Sequence, residues 1–122
     1  MFDHIGLAVR DLAKTRAFYT ASLAPLGLRL QYDQDDVAAF GPPGKWALWF
    51  YGKGDGPTGV HIALKAESRA QVDAFYAAAI AAGGKDNGAP GLRPHYTPTY
   101  YGAFVFDPDG HNLEAVCYAT EA

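Results

Sequence analysis

Three side chains of types that bind metal ions lie on short apolar segments of this 122-residue chain. His4 and His61 each open a run of small and β-branched residues, and Glu114 interrupts an apolar segment near the C-terminal end. Two imidazoles and one carboxylate suit Zn, Ni, Fe, Mn or Co and leave coordination positions open for water or substrate. The pattern predicts a divalent-metal site at His4, His61 and Glu114, with Glu114 also the candidate catalytic group. The alternative, solvated histidines and an exposed carboxylate on an edge strand, stays open at this point.

An internal repeat relates the two histidines. A shift of 61 − 4 = 57 residues superimposes residues 4–27 on 61–84 with ten of 24 positions identical. The residue pattern of each copy predicts a strand, then a helix, then three further strands. We therefore expect a single domain, 1–122, made of two βαβββ modules at about 1–56 and about 57–122. Because side chains alternate across a strand, each histidine points away from the large aliphatic residues of its segment.

The elements that must position these residues follow from local patterns. Strands are predicted at 2–9, 28–32, 37–40, 46–51, 59–65, 101–106 and 112–118, with a poorly defined strand after Gly84. Asp11 and Ser68 are N-cap residues of the two predicted helices. Matching the Pro- and Gly-rich turns at 41–44 and 107–110 gives a shift of 66, which places Leu48 opposite Glu114.

Substrate-binding candidates come from two regions. The segment 85–99 is long for a loop in a compact domain, and such loops often cover a site. The candidates in and after this loop and on the last strand of module one are Arg93, His95, Tyr96, Tyr100, Tyr101, Leu48 and Trp46. Ordinary packing or surface exposure is the alternative for each of them, and the aromatic residues near Trp46 can equally form a dimer contact.

Composition excludes several classes of function. Ten basic and thirteen acidic residues give a net charge of −3, so there is no basic footprint for nucleic acid or an anionic membrane. The longest uncharged apolar stretch, 74–82, is about half of the ~20 residues that a membrane span needs. No secretion signal is seen, so a cytoplasmic location is expected. Neither serine lies in a nucleophile elbow, and the single cysteine, Cys117, has no internal disulfide partner.

The strand histidines in Asp3-His4-Ile5 and Val60-His61-Ile62, together with the segment from Asp107 to Glu114, resemble the vicinal oxygen chelate superfamily. That superfamily includes glyoxalase I, extradiol dioxygenases, fosfomycin-resistance enzymes and bleomycin-resistance proteins. The resemblance implies an α+β fold in which two βαβββ modules form a curved eight-stranded mixed sheet around a central cavity. It also implies a homodimer whose sites are often completed across the subunits.

The resemblance matches His4, His61 and Glu114 to the ligand positions of the superfamily, and Leu48 takes the place of a fourth ligand found in glyoxalase I. The expected function is that of a divalent-metal-dependent, glyoxalase-like enzyme of lyase, isomerase or dioxygenase type, which chelates adjacent oxygens of a small substrate. The alternative is a non-catalytic protein of the bleomycin-resistance type that binds a small molecule or drug.

Overall fold

The computed structural model describes residues 3–54 and 60–120, so the predicted strand starts at Phe2 and Gly59 lie outside the described residues. The fold is α+β, as predicted. Its elements in chain order are β1 (Ile5–Ala8), α1 (Leu12–Leu23), β2 (Arg29–Gln34), β3 (Val37–Gly41), β4 (Leu48–Tyr51), β5 (His61–Lys65), α2 (Arg69–Ala81), β6 (Lys85–Leu92), β7 (Tyr101–Phe106) and β8 (Asn112–Cys117).

The duplicated βαβββ topology is confirmed, with the eight strands divided into two hydrogen-bonded sheets. Sheet one has the order β1-β4-β3-β2 and sheet two the order β5-β8-β7-β6. In each sheet the first strand of the module runs parallel to the last, and the remaining pairs are antiparallel. The last strand of each module is therefore central, with the histidine-bearing strand beside it at the sheet edge.

The predicted long loop at 85–99 is wrong over its first half, which forms β6 and pairs with β7. The pairing is irregular on both sides of Gly88, whose φ is 147°. The poorly defined strand predicted after Gly84 is this β6, and its extent was missed because Gly88, Pro90 and Gly91 have low strand propensity. Only the segment between Leu92 and Tyr101 remains as a connection that can border a site.

The core lies between the inner faces of the two sheets and the two helices, which pack against each other. Phe18, Tyr19 and Phe75 of the two helices are fully buried there. Both predicted caps are present: the side chains of Asp11 and Ser68 accept hydrogen bonds from backbone N–H groups of the first helical turns. The face of each sheet that points away from this core is called its outer face below.

A buried polar link ties module one to the turn that precedes β8. The Tyr19 hydroxyl donates to Asp107 Oδ2 at 2.7 Å, and the backbone N–H groups of Asp109 and His111 donate to Oδ1 at 2.9 Å each. The backbone N–H and Nε of Arg10 donate to Asp109 Oδ1, both at 3.2 Å. These bonds fix the start of β8 against α1, and β8 carries Glu114.

Within the described part of the chain, no helix is long and apolar enough to cross a membrane.

Candidate functional site

Two of the three predicted metal ligands meet on the outer face of sheet two. Alternation along β8 turns Leu113 and Ala115 into the core, so Glu114 projects from the opposite face. His61 reaches it from the neighbouring strand, where Ala63 is the register partner of Glu114. His61 Nε2 lies 2.8 Å from Glu114 Oε1; the Glu114 residue is 1% exposed, whereas the His61 side chain is 51% exposed.

The second oxygen of this carboxylate also has a partner. The Tyr100 hydroxyl donates a hydrogen bond to Glu114 Oε2. Burial raises the pKa of Tyr100, and the hydrogen bond to Glu114 and the charge of that carboxylate raise it further. A carboxylate buried in a sheet is costly unless its oxygens are paired. Here His61 and Tyr100 supply those partners for Glu114.

A cavity of about 470 Å³ opens over this pair. Three tyrosines form an aromatic wall in which the ring of Tyr100 lies edge-to-face against Tyr96, at 4.9 Å, and against Tyr118, at 5.4 Å. The lining residues are His61, Tyr96, Thr97, Tyr100, Phe104, Glu114 and Tyr118. Of these, Thr97, Phe104 and Tyr118 were not predicted, although two-residue alternation along β8 and its continuation points to Tyr118.

His4 lies on the outer face of sheet one, apart from the other two candidate ligands. Its side chain is 52% exposed, Nδ1 is 2.7 Å from Asp3 Oδ1, and its ring centre is 5.6 Å from that of Trp49. Among the residues that the structure describes, no group of three or more His, Cys, Asp or Glu side chains is placed to share one ion. One chain therefore brings together His61 and Glu114 but not His4.

The predicted equivalence of Leu48 and Glu114 is wrong by one residue. Gly6 is the register partner of Trp49, and its repeat equivalent Ala63 is the partner of Glu114, so Trp49 occupies the Glu114 position at a shift of 114 − 49 = 65. The left-handed glycines of the two turns, Gly44 and Gly110, are 66 residues apart, so matching the turns misaligned the strands. Leu48 faces the core, is 7% exposed and does not line the Glu114 cavity.

Aromatic side chains cover the outer face of sheet one around His4. The ring centres of Tyr32 and Trp46 are 4.5 Å apart, those of Trp46 and Trp49 are 5.5 Å apart, and those of Trp49 and Tyr51 are 6.3 Å apart. Trp46 and Tyr51 remain 42% and 38% exposed. A Cβ at Gly6 would lie 2.8 Å from Tyr51 Cε2, so this glycine lets the Tyr51 ring lie against the sheet. Tyr32, Trp46, Trp49 and Tyr51 are called the aromatic row below.

The remaining binding candidates do not line the Glu114 cavity, although the Arg93 guanidinium lies 5.5 Å from the centre of the Phe104 ring, which does. Both terminal nitrogens of Arg93 donate at 2.8 Å to backbone carbonyls, those of Ala89 and Gly91. The Tyr101 hydroxyl donates to Asp73 on α2 at 2.7 Å, which places it on the opposite side of β7 from Glu114. His95 is exposed and contacts the Tyr96 ring without lining the cavity.

Comparisons with known proteins give consistent results. A family model described as Glyoxalase/Bleomycin resistance protein/Dioxygenase superfamily matches residues 1–115. A crystal structure of a glyoxalase/bleomycin resistance protein from Albidiferax ferrireducens T118 is similar at 30% identity and a TM-score of 0.81, over 96% of this chain and 98% of that one. No curated protein sequence matches the chain.

Two further solved structures share the fold at lower identity. A glyoxalase-related enzyme from Fulvimarina pelagi is 20% identical with a TM-score of 0.74, over 96% of this chain and 87% of that one. A mutant of the genomically encoded fosfomycin resistance protein FosX from Listeria monocytogenes, complexed with Mn(II) and 1S,2S-dihydroxypropylphosphonic acid, is 24% identical. Its TM-score is 0.70, over 95% of this chain and 88% of that one.

Proposed function

Because the chain belongs to the Glyoxalase/Bleomycin resistance protein/Dioxygenase superfamily, we propose that it is a divalent-metal-dependent enzyme acting on a small substrate with two adjacent oxygen atoms. The observation that carries the proposal is the pair of His61 Nε2 and Glu114 Oε1, 2.8 Å apart on the floor of a cavity. Two ligands at about 2.1 Å from one ion and at right angles to each other are about 3 Å apart. The donor types and their separation therefore fit a divalent ion.

His4 is the proposed third ligand, contributed by a second copy of the chain. The two sheets present complementary outer faces: sheet two carries the carboxylate and one imidazole, and sheet one carries the other imidazole beside Trp49 of the aromatic row. Large apolar side chains remain exposed on both faces, among them Trp46, Tyr51 and Tyr118. Exposed apolar patches of this kind mark interaction sites. A homodimer that places sheet one of one protomer against sheet two of its partner would cover both faces and build two equivalent sites.

A divalent ion bound there supplies Lewis-acid polarisation of the substrate oxygens. The remaining contributions come from side chains of the protein. Glu114 contributes negative charge from a buried position, and His61 directs its Nε2 into the same cavity. The tyrosine wall and the partner's aromatic row exclude water, which strengthens electrostatic interactions inside the cavity. This arrangement suits a glyoxalase-like lyase or isomerase, or a dioxygenase, because each of these reactions develops negative charge on a substrate oxygen.

The test is the metal content of protein purified from medium that contains Zn, Ni, Fe, Mn and Co. We expect about one divalent ion per chain in the wild type, by elemental analysis, and loss of most of it in His61→Ala, Glu114→Gln and His4→Ala. His95→Ala is the matched control, because it removes an exposed imidazole outside the cavity and should retain the metal. Equal, near-zero metal content in the wild type and the His4→Ala/Glu114→Ala variant would refute the enzyme proposal.

The aromatic row supports a second candidate function, that of a non-catalytic protein that binds a flat small molecule. The strand residues beside the row on β1 and β3 are Gly6, Ala8, Val37 and Ala39, so this part of the face carries no charge. Aromatic faces of this kind stack on planar ligands. Ligand binding that quenches tryptophan fluorescence equally with and without a chelator would favour this candidate, whereas binding that requires the metal favours the enzyme.

A further inference from the structure

We propose that Tyr100 is a positioning residue that fixes the Glu114 carboxylate so that only Oε1 is presented to the ion. This inference rests on the proposed function, because it assigns a role within that same site. Sequence patterns placed Tyr100 among the substrate-binding residues, and the structure instead points its hydroxyl at the candidate ligand. Tyr100 therefore acts through Glu114 rather than on the substrate.

The two oxygens of Glu114 have different partners. Oε2 accepts the hydrogen bond from Tyr100, and Oε1 lies on the side of His61 Nε2, 2.8 Å away. A free carboxylate can bind an ion through one oxygen or through both. A hydroxyl donor on Oε2 occupies a lone pair of that oxygen and holds the plane of the carboxylate. Binding through Oε1 alone then leaves one more coordination position for the substrate oxygens.

Several contacts hold Tyr100 in this orientation. Its backbone N–H donates to the Thr97 carbonyl at 3.2 Å, and its own carbonyl accepts from the Arg93 N–H at 2.8 Å. Its ring sits edge-to-face between Tyr96 and Tyr118. These contacts limit both the backbone and the ring, so the hydroxyl is preorganised toward Glu114 rather than free to follow a ligand.

Gly102 supplies the space that this arrangement needs. A Cβ at Gly102 would lie 3.1 Å from Tyr100 Cε1 and 3.5 Å from Glu114 Oε2. The first separation is closer than ordinary van der Waals contact, so an alanine would displace the Tyr100 ring by a few tenths of an ångström. The absence of a side chain at Gly102 thus allows the phenol to cross the strand and reach the carboxylate.

The neighbouring residue provides a matched control. Tyr101 also donates its hydroxyl to a carboxylate, that of Asp73, at 2.7 Å, but on the α2 side of β7. Tyr101→Phe removes the same group, from the next residue in the chain, and breaks the same type of bond. It leaves Glu114 untouched.

The experiment compares Mn(II) binding by the wild type, Tyr100→Phe, Tyr101→Phe and Gly102→Ala, followed by the electron paramagnetic resonance signal of free Mn(II). Loss of an outer partner of a metal ligand weakens binding by about 10–100-fold. We expect a loss of that size in Tyr100→Phe, a smaller loss in Gly102→Ala, and a change below about twofold in Tyr101→Phe. The visible spectrum of the Co(II)-loaded protein should change in Tyr100→Phe and not in Tyr101→Phe, because only the former alters the coordination of Glu114.

Each outcome of this comparison decides the proposal. Unchanged Mn(II) affinity and an unchanged Co(II) spectrum in Tyr100→Phe, with binding lost in Glu114→Gln, would overturn the role of Tyr100 and leave the proposed function standing. Absence of Mn(II) and Co(II) binding in the wild type would overturn both. Gly102→Ala keeps the hydroxyl, so it tests the geometry even if Tyr100→Phe folds poorly. Circular dichroism of each variant verifies that the fold is retained.

Discussion

The hydrogen bond from Tyr19 to Asp107 links α1 to the turn before β8, and we predict that its loss destabilises the whole domain. Tyr19→Phe removes only the hydroxyl and keeps the ring that packs at 4.3 Å from Phe50. Asp107 is 5% exposed, so water cannot fully replace the missing donor at Oδ2. A hydrogen bond to a charged group contributes about 1.5–3 kcal/mol. We expect the free energy of unfolding to fall by about 2 kcal/mol, and the melting temperature by about 6–10 °C for a domain of this size.

The assay is urea and thermal unfolding followed by circular dichroism, with Tyr76→Phe as the control. Tyr76 also donates its hydroxyl to a carboxylate, that of Asp86 at 2.9 Å, but Asp86 is exposed. An exposed bond of this kind exchanges readily with water and contributes little. We therefore expect no measurable destabilisation in Tyr76→Phe. Equal losses in the two variants would refute the reasoning that burial makes the Tyr19 bond strong.

Two further predictions concern stability. Burial raises the pKa of Tyr19 well above its usual value, and the charge of Asp107 raises it further. The stability difference between wild type and Tyr19→Phe should be constant below the unfolded-state pKa of about 10 and shrink as the pH rises above it, measured by urea unfolding; a difference that grows above pH 10 would contradict this sign. Gly41→Ala should lower the free energy of unfolding more than Gly44→Ala does, because a Cβ at Gly41 would collide with the Lys45 backbone carbonyl. A Cβ at Gly44 would meet open space, so the only cost there is the positive φ of 79°. The reverse order in the same assay would contradict it.

Much of the fold follows from local patterns. The repeat that superimposes residues 4–27 on 61–84 predicted two βαβββ modules, because segments with the same spacing of strand and helix residues are expected to have the same topology. The capping side chains of Asp11 and Ser68 predicted where the two helices begin. A strand after Gly84 was predicted, but the extent of β6 was not, because its pairing with β7 is stabilised by the neighbouring strand and not by the propensities of Gly88, Pro90 and Gly91.

The candidate site was predictable only in part. Alternation correctly placed His61 on the face of its strand that avoids the core. The one-residue error at Leu48 arose because the positions of turn glycines do not fix the register of the strands that follow. A register error of one residue assigns every side chain of a strand to the wrong face. The role of Tyr100 depends on a contact across the sheet and on the missing side chain of Gly102. Neither Tyr100 nor Gly102, considered alone in the sequence, predicts that contact.

The most direct test of the central claim is complementation between two defective subunits. His4→Ala and Glu114→Ala chains carrying different affinity tags are coexpressed, and the mixed dimer is isolated by two successive purifications. If His4 of one protomer completes the His61 and Glu114 pair of its partner, the mixed dimer has one intact site. It should therefore bind about one ion per dimer, whereas each variant alone binds almost none. A mixed dimer as metal-free as the two variants, beside a wild type that binds metal, would contradict a site shared between subunits.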